Sequence, residues 1–265
     1  MSCLLRMQSN MDAKEYKELI DNELEKFFCA VIPTYNNSGT IASVVESVLQ
    51  YMKDVIVVSD GADDATLAAL EPFKGNITLL EYGPNRGKGF ALKTAFRYAR
   101  EKGFDYAITL DSDGQHFADD IPAFVEAIEK GNGELFIGSR CLEADNMPSG
   151  NTFANRFSNF WFAVQTLRRL PDTQTGYRAY PLASTVLPLT SRYEAELEML
   201  VRSAWHGVKM VPVQVKVYYA PAGERVTHFR PGKDFTRISI LNTFLTLAAI
   251  VYGWPSMLVH KLAGR

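Results

Sequence analysis

Cysteine is scarce: Cys3, Cys29 and Cys141 are the only three in 265 residues, an odd number, far apart and without metal-ligand spacing. Disulfides are therefore not expected, and the usage suits a reducing compartment. An excess of one charge is missing too, since 28 basic against 30 acidic side chains leave a formal net charge of -2. That removes the bulk attraction a clearly basic domain has for nucleic acid, so no nucleic-acid partner is expected. Glycine (18) and proline (12) are too few for a collagen-like or linker-like chain, and 47% hydrophobic against 22% charged residues is globular composition. No internal repeat or low-complexity tract is present. The opening MSCLLRMQSN, which then turns acidic, lacks the apolar stretch and small-residue cleavage site of a secretory signal. A cytoplasmic chain is the expectation.

Charge is also missing from one long run. Ile238–Val259 holds no Asp, Glu, Lys or Arg over 22 residues, a length that could span a bilayer. Gly253-Trp254-Pro255 is expected to interrupt it, leaving Ile238–Tyr252, 15 residues or about 23 Å of helix, short of a roughly 30 Å hydrocarbon core. A helix lying on the cytoplasmic face of a membrane, or half inserted into it, is expected instead. Arg225, Arg230, Lys233 and Arg237 before the run, and Lys261 and Arg265 after it, suit an anionic lipid surface, and Tyr252 and Trp254 suit an interface. Asn242, Thr243 and Thr246 keep open a second arrangement, a helix pair folded onto the domain's own core.

Residues 12–27 place Tyr16, Leu19, Ile20, Leu24 and Phe27 at helical spacing, predicting an amphipathic N-terminal helix. Short apolar runs then alternate with helical patterns. Strands are predicted at 29–33, 54–60, 77–82, 106–110 and 135–140, with helices at 40–52, 63–70, 88–102 and 118–130. Strands that are apolar throughout, alternating strictly with helices, predict a mostly parallel sheet covered on both faces. Beyond residue 150 come a long aromatic-rich helix, a polar loop DTQTGYRAYP (172–181), a helix at 193–207 and a last strand at 209–217. No linker interrupts, which predicts an N-terminal helix (1–27), one α/β domain (28–220) and a C-terminal segment (221–265) with a basic loop and an apolar helix.

Ligands bind such sheets outside the carboxyl ends of the strands, and the polar segments fall there: Pro33-Thr34-Tyr35-Asn36-Asn37, Ser59-Asp60-Gly61, and Asp111-Ser112-Asp113-Gly114-Gln115. GPNRGKGFALKTAF (83–96) is neither a Walker loop nor a dinucleotide fingerprint, because three residues separate Gly83 and Gly87, Gly89 follows Lys88, and Leu92 stands where Gly or Ala is needed. It leaves a glycine-flanked Arg86/Lys88 pair at a helix start, suited to phosphate. Asp111 and Asp113, alternate carboxylates after a buried strand, suit Mg2+ or Mn2+ completed by substrate phosphates. An EF-hand is excluded, since His116 and Pro122 stand where its Gly and Glu belong. An aspartyl-phosphate phosphatase carries a similar Asp pair and is a minor alternative. His116 reads as a packing or loop residue.

VIPTYNNSGTI (31–41), VVSDGADDAT (57–66), NRGKGFALKTAF (85–96), TLDSDGQH (109–116), GSR (138–140) and DTQTGYRAY (172–180) together resemble the family 2 glycosyltransferases, in the family's order. The match is nearest to the dolichyl-phosphate mannose synthase and polyprenyl-phosphate glycosyltransferase branch. The resemblance implies a GT-A, Rossmann-like α/β fold, a nucleotide-sugar donor of GDP-mannose or UDP-glucose type, and a divalent metal. It implies donor contacts from Pro33, Tyr35, Asn37, Asp60, Arg86 and Lys88, although the family often carries Glu where Asn37 stands. It further implies a metal and diphosphate site at Asp111, Asp113 and Gln115, and acceptor contacts from Arg140, Arg156, Asp172, Gln174 and Arg178. An inverting transfer to polyprenyl phosphate is then expected, with Asp111, Asp113, Asp172 and Arg178 as its catalytic residues. A phosphate monoester, ionised near neutrality, can attack without a strong base, whereas a hydroxyl acceptor would need one such as Asp172. The alternatives are transfer to a glycan hydroxyl and a catalytically silent nucleotide-sugar binding protein.

Overall fold

The computed structural model describes residue 13 and residues 27–140, 149–218 and 230–263, without the side chains of residues 149–153 and 231. Nearly all of the expected N-terminal helix, and the basic stretch 219–229, lie outside the described residues. The order is β1 (Phe28–Thr34), α1 (Ile41–Leu49), β2 (Val55–Asp60), α2 (Asp64–Leu70), β3 (Thr78–Tyr82), α3 (Lys88–Glu101), β4 (Tyr106–Thr109), α4 (Ile121–Lys130) and β5 (Leu135–Arg140). There follow α5 (Ser149–Thr166), β6 (Arg178–Pro181), α6 (Glu194–Trp205), β7 (Met210–Val215), α7 (Pro231–Ala248) and α8 (Trp254–Leu262). Seven strands form one sheet in the order β3-β2-β1-β4-β6-β5-β7. Every pairing is parallel except the two made by β6.

Strand residues alternate between two cores, as pleating requires. Ala30, Ile32, Val55 and Val57 face Ile41, Val45, Ile121 and Phe124 of α1 and α4. Cys29, Val31, Ile56 and Val58 face Leu92 and Phe96 of α3 and Leu200 and Trp205 of α6. Full burial of such side chains contributes about 1.5–3 kcal/mol each. Each core thus holds one layer of helices on one face of the sheet.

The expected loop at 172–181 is corrected at its end, where Arg178–Pro181 forms β6 between β4 and β5. It opens on an arginine, yet all four of its residues are buried. Tyr177 and Ala179 enter one core and Tyr180 the other, while the Arg178 guanidinium donates from Nη1 to Tyr180 Oη and to Glu196 O (both 3.0 Å) and from Nη2 to Thr173 O (2.9 Å).

The expected interruption at Gly253-Trp254-Pro255 is a second correction. One helix, Gly232–Leu262, runs through it for 31 residues, about 47 Å at 1.5 Å per residue. A π-helical turn at Ala249–Gly253 makes this possible: Trp254 N–H donates to Ala249 O, and Pro255 falls in the first turn of α8, where its missing donor costs little. A Cβ on Gly253 would overlap the Trp205 indole, so only glycine allows this approach. The helix packs on α5 and α6 through Leu245, Ala249 and Asn242, with Gln165 Nε2 donating to Asn242 Oδ1 (3.0 Å) and Ser256 Oγ to Trp205 O (2.8 Å). Its other side exposes Ile240, Phe244, Leu247, Val251, Leu258, Val259 and Leu262. Among the described residues it is the one helix long and apolar enough to cross a membrane. Asn242 and Thr246 therefore share the inward face with Leu245 and Ala249, against Gln165, while the seven exposed apolar residues belong to the face turned to solvent.

Candidate active site

The loops leaving β1, β2 and β4 at their carboxyl ends enclose a cleft of about 860 Å³. Pro33, Tyr35, Asn37, Asp60, Lys88, Asp111, Asp113 and Gln115 all line it. Side chains fasten the loops to one another. Asn37 Nδ2 donates to Ser112 Oγ and Thr40 Oγ1 to Ser112 O (both 2.6 Å), tying the loop after β1 to the loop after β4. Asp60, buried, accepts from Arg86 N and Gly87 N (both 2.7 Å) and from Asn85 Nδ2 (3.0 Å). Three of the roughly four acceptor positions of this carboxylate are thus taken by the turn that starts α3. Arg86 turns outward, its guanidinium 3.5 Å from the centroid of the Phe90 ring.

Gly87 adopts a φ of +99° and presses that turn against Ser191 and Arg192, while a Cβ on Gly89 would overlap Ala195. The start of α6 is thereby brought to the cleft, adding Arg192 and Tyr193 to its lining. Lys88 Nζ lies 2.5 Å from Asp111 Oδ1 and 2.8 Å from Glu196 Oε2. Burial works against the ammonium, but the two carboxylates outweigh it and hold its pKa above the ordinary value. Burial likewise opposes the Asp111 carboxylate, yet Lys88, then His116 and Arg178, hold its pKa low. Burial and the charge of Asp111 push the Asp113 carboxyl up to about 6. Burial pushes His116 down to about 4, so its ring, 5.1 Å from that of Tyr177, is neutral at pH 7.

Among the described residues no three His, Cys, Asp or Glu side chains converge on one metal position. Two hard oxygen ligands with an open cleft beside them remain the donor set that suits Mg2+ or Mn2+ shared with substrate phosphates. Gly176 leaves room for Asp111, since a Cβ there would stand 2.5 Å from Asp111 Oδ2. Gly176→Ala is expected to shift Asp111 and lower turnover about a hundredfold, the scale of a 1 Å misplacement, with little change in circular dichroism. Unchanged turnover would detach Asp111 from the chemistry.

The expected acceptor residues gather outside the cleft lining. Asp172, fully buried, accepts from Arg140 Nε (2.5 Å) and Nη2 (3.0 Å), Asn155 Nδ2 (2.7 Å) and Gln174 N (3.0 Å). Burial opposes its charge, but Arg140 and the Gln174 N–H hold its pKa below the ordinary value. Arg156 and the Gln174 side chain are exposed. Arg178 is not at the surface of the site at all: its guanidinium lies wholly buried beneath it. Sequence reasoning missed Glu196, Arg192, Tyr193 and Gly176. The one local signal was Glu196 itself, a carboxylate on the opposite side of the helix from Glu194 and Glu198, and it does not say what that side meets.

A parallel-sheet half fused to a mixed one, with paired carboxylates at the end of β4, is the GT-A arrangement of sugar-transferring enzymes. The glycosyl transferase family 2 model matches residues 29–179, more than half of the chain, and the protein belongs to that family and is a glycosyltransferase. It is 27% identical over 220 residues to the UDP-N-acetylglucosamine--dolichyl-phosphate N-acetylglucosaminyltransferase of Methanococcus voltae, covering 74% of this chain and 87% of that one. It is 26% identical to the undecaprenyl-phosphate mannosyltransferase of Micrococcus luteus, covering 73% and 84%. Its fold is shared with glucosyl-3-phosphoglycerate synthase of Mycobacterium tuberculosis, solved with Mn2+, uridine diphosphate and phosphoglyceric acid. That match has a TM-score of 0.64 at 18% identity and covers 91% of this chain and 83% of the other.

Proposed function

We propose that the protein transfers a sugar from a nucleotide-sugar donor to a polyprenyl phosphate at the cytoplasmic face of a membrane. The carrying observation is the state of Asp172. Four donors occupy the carboxylate that a hydroxyl acceptor would use as its base, and Arg140 holds it ionised. A phosphate monoester, largely dianionic at neutral pH, brings its own nucleophilic oxygen and needs cations rather than a base. Arg140, fixed in orientation by Asp172, and Arg156, exposed on α5, supply that charge, and buried Arg178 adds a positive field from below. The relatives named for dolichyl-phosphate and undecaprenyl-phosphate transfer support the same acceptor class.

On the donor side, Pro33, Tyr35 and Asn37 line the part of the cleft assigned to the nucleoside, Asp60 secures the turn of Arg86 and Lys88, and Lys88 meets the diphosphate. Asp111 and Asp113, with Gln115 beside them, would hold Mg2+ or Mn2+. Bound there, the cation supplies charge neutralisation for the departing nucleoside diphosphate. The acceptor oxygen attacks the anomeric carbon from the opposite side in one displacement, which inverts its configuration. Residues 28–220 carry this chemistry, and 221–265 carry the membrane-facing segment. Incubating the full chain with UDP- or GDP-sugars should yield lipid-linked sugar from a short polyprenyl phosphate and none from the unphosphorylated polyprenol. Equal use of the two would overturn the reading.

Arg230 lines the cleft and immediately precedes α7, so the exposed apolar face of α7 and α8 begins beside the site. Laid on a membrane, that face keeps a lipid phosphate within reach of the cleft. Phe244→Glu with Val251→Glu, both exposed, removes two apolar contacts worth roughly 1.5–3 kcal/mol each. Binding to anionic vesicles should fall more than tenfold by co-flotation while thermal stability is kept. Undiminished flotation would place the membrane contact elsewhere.

A further inference from the structure

We infer that Lys88 is the site's own placeholder cation and that Glu196 is a positioning residue which receives it when a divalent cation and nucleoside diphosphate arrive. This rests on the metal-dependent donor site proposed above. Lys88 Nζ bridges Asp111 Oδ1 (2.5 Å) and Glu196 Oε2 (2.8 Å), and the three side chains are only 14%, 28% and 12% exposed. Asp111 and Asp113 project from the loop after β4, whereas Glu196 comes from α6, a different element. The meeting is built by glycine: a side chain at either Gly87 or Gly89 would push the starts of α3 and α6 apart.

The charges define what the bridge can do. Without a cation, Lys88 compensates Asp111. A doubly charged ion beside Asp111 repels the ammonium, and a nearly buried ammonium with no partner is strongly unfavourable. Glu196 removes that obstacle, because Lys88 gives up one carboxylate and keeps the other. Lys88 lines the cleft, so an ammonium released from Asp111 and tethered by Glu196 stays beside the diphosphate that enters with the metal. An inert pin between α3 and α6 predicts none of this exchange.

The two roles make opposite predictions for Mn2+ binding, read by electron paramagnetic resonance on the full chain without sugar donor. Glu196→Gln leaves Lys88 with Asp111 as its remaining carboxylate, so affinity for Mn2+ alone should fall about tenfold. Lys88→Met removes the competitor, so affinity for Mn2+ alone should rise about tenfold, while UDP and GDP measured with saturating Mn2+ should bind more weakly. The double variant Lys88→Met/Glu196→Gln, which leaves neither charge of this α3–α6 contact without its partner, should bind Mn2+ at least as tightly as the wild type. It carries the test if Lys88→Met alone does not fold. Shifts in the same direction for both single variants, no shift in either, or a double variant as weak as Glu196→Gln would overturn the exchange while leaving the donor site standing. A wild-type chain that binds no Mn2+, with or without UDP or GDP, would instead remove the metal site and this inference with it.

Discussion

Asp113→Ala should lower sugar transfer about a thousandfold, the factor that some 4 kcal/mol of lost charge stabilisation represents. The fold should survive the change. Asp113 is only partly buried, at the lip of the cleft, and its Oδ1 accepts one bond, from the Gln115 N–H of its own loop at 3.0 Å. Losing that bond costs about 1 kcal/mol. Circular dichroism and the melting temperature should therefore stay close to wild type while transfer disappears. Because burial and the charge of Asp111 push the Asp113 carboxyl up to about 6, uptake of Mn2+ should weaken as the pH falls through that value, since ligation needs the deprotonated form. Transfer that persists in Asp113→Ala, or in excess chelator, would take the cation out of the mechanism.

The largest loss of stability is expected at Asp172. Asp172→Ala takes from Arg140, whose side chain is only 13% exposed, its carboxylate partner at 2.5 Å, and leaves Asn155 Nδ2 and Gln174 N without their acceptor. Removing one partner of a buried ion pair costs about 3–5 kcal/mol, which for a chain of this size lowers the melting temperature by roughly 10 °C. The sign of the pH dependence follows from the depressed pKa. The stabilisation by Asp172 is fully present above the ordinary value of 3.8 and is lost as the pH falls below it, through the folded-state pKa. Asp172→Asn keeps the shape and an acceptor oxygen, so the variant should fold and retain part of its transfer activity. A reaction using Asp172 as base would lose about 10²–10⁴-fold instead. A wild-type melting temperature in Asp172→Ala would contradict the buried pairing.

The parallel half of the sheet was readable in the sequence because its strands carry apolar side chains on both faces, leaving no polar letter to confuse the pattern from Val55 to Val58. The donor loops were readable because parallel strands deliver their polar ends to one edge, where the cleft is found. β6 was not. Arg178 reads as a surface residue until β6 pairs between β4 and β5 and α6 packs beside it, where Tyr180 Oη, Thr173 O and Glu196 O take up its guanidinium. The continuity of the C-terminal helix was hidden for a different reason: proline and glycine signal a break, and only the π turn, set against Trp205, absorbs both. Glu196 lay in a helix whose side facing the cleft is decided by the contact of α6 with Gly87 and Gly89, a long-range fact that no local pattern encodes.

The most direct test of the proposed transfer is a phosphorus NMR time course containing the purified protein, Mg2+, a UDP- or GDP-sugar and a short-chain polyprenyl phosphate. The account predicts that the lipid monoester signal is replaced one for one by a phosphodiester signal as nucleoside diphosphate accumulates. Nucleoside diphosphate released while the lipid monoester stays unchanged, with the sugar recovered on a hydroxyl, would contradict it.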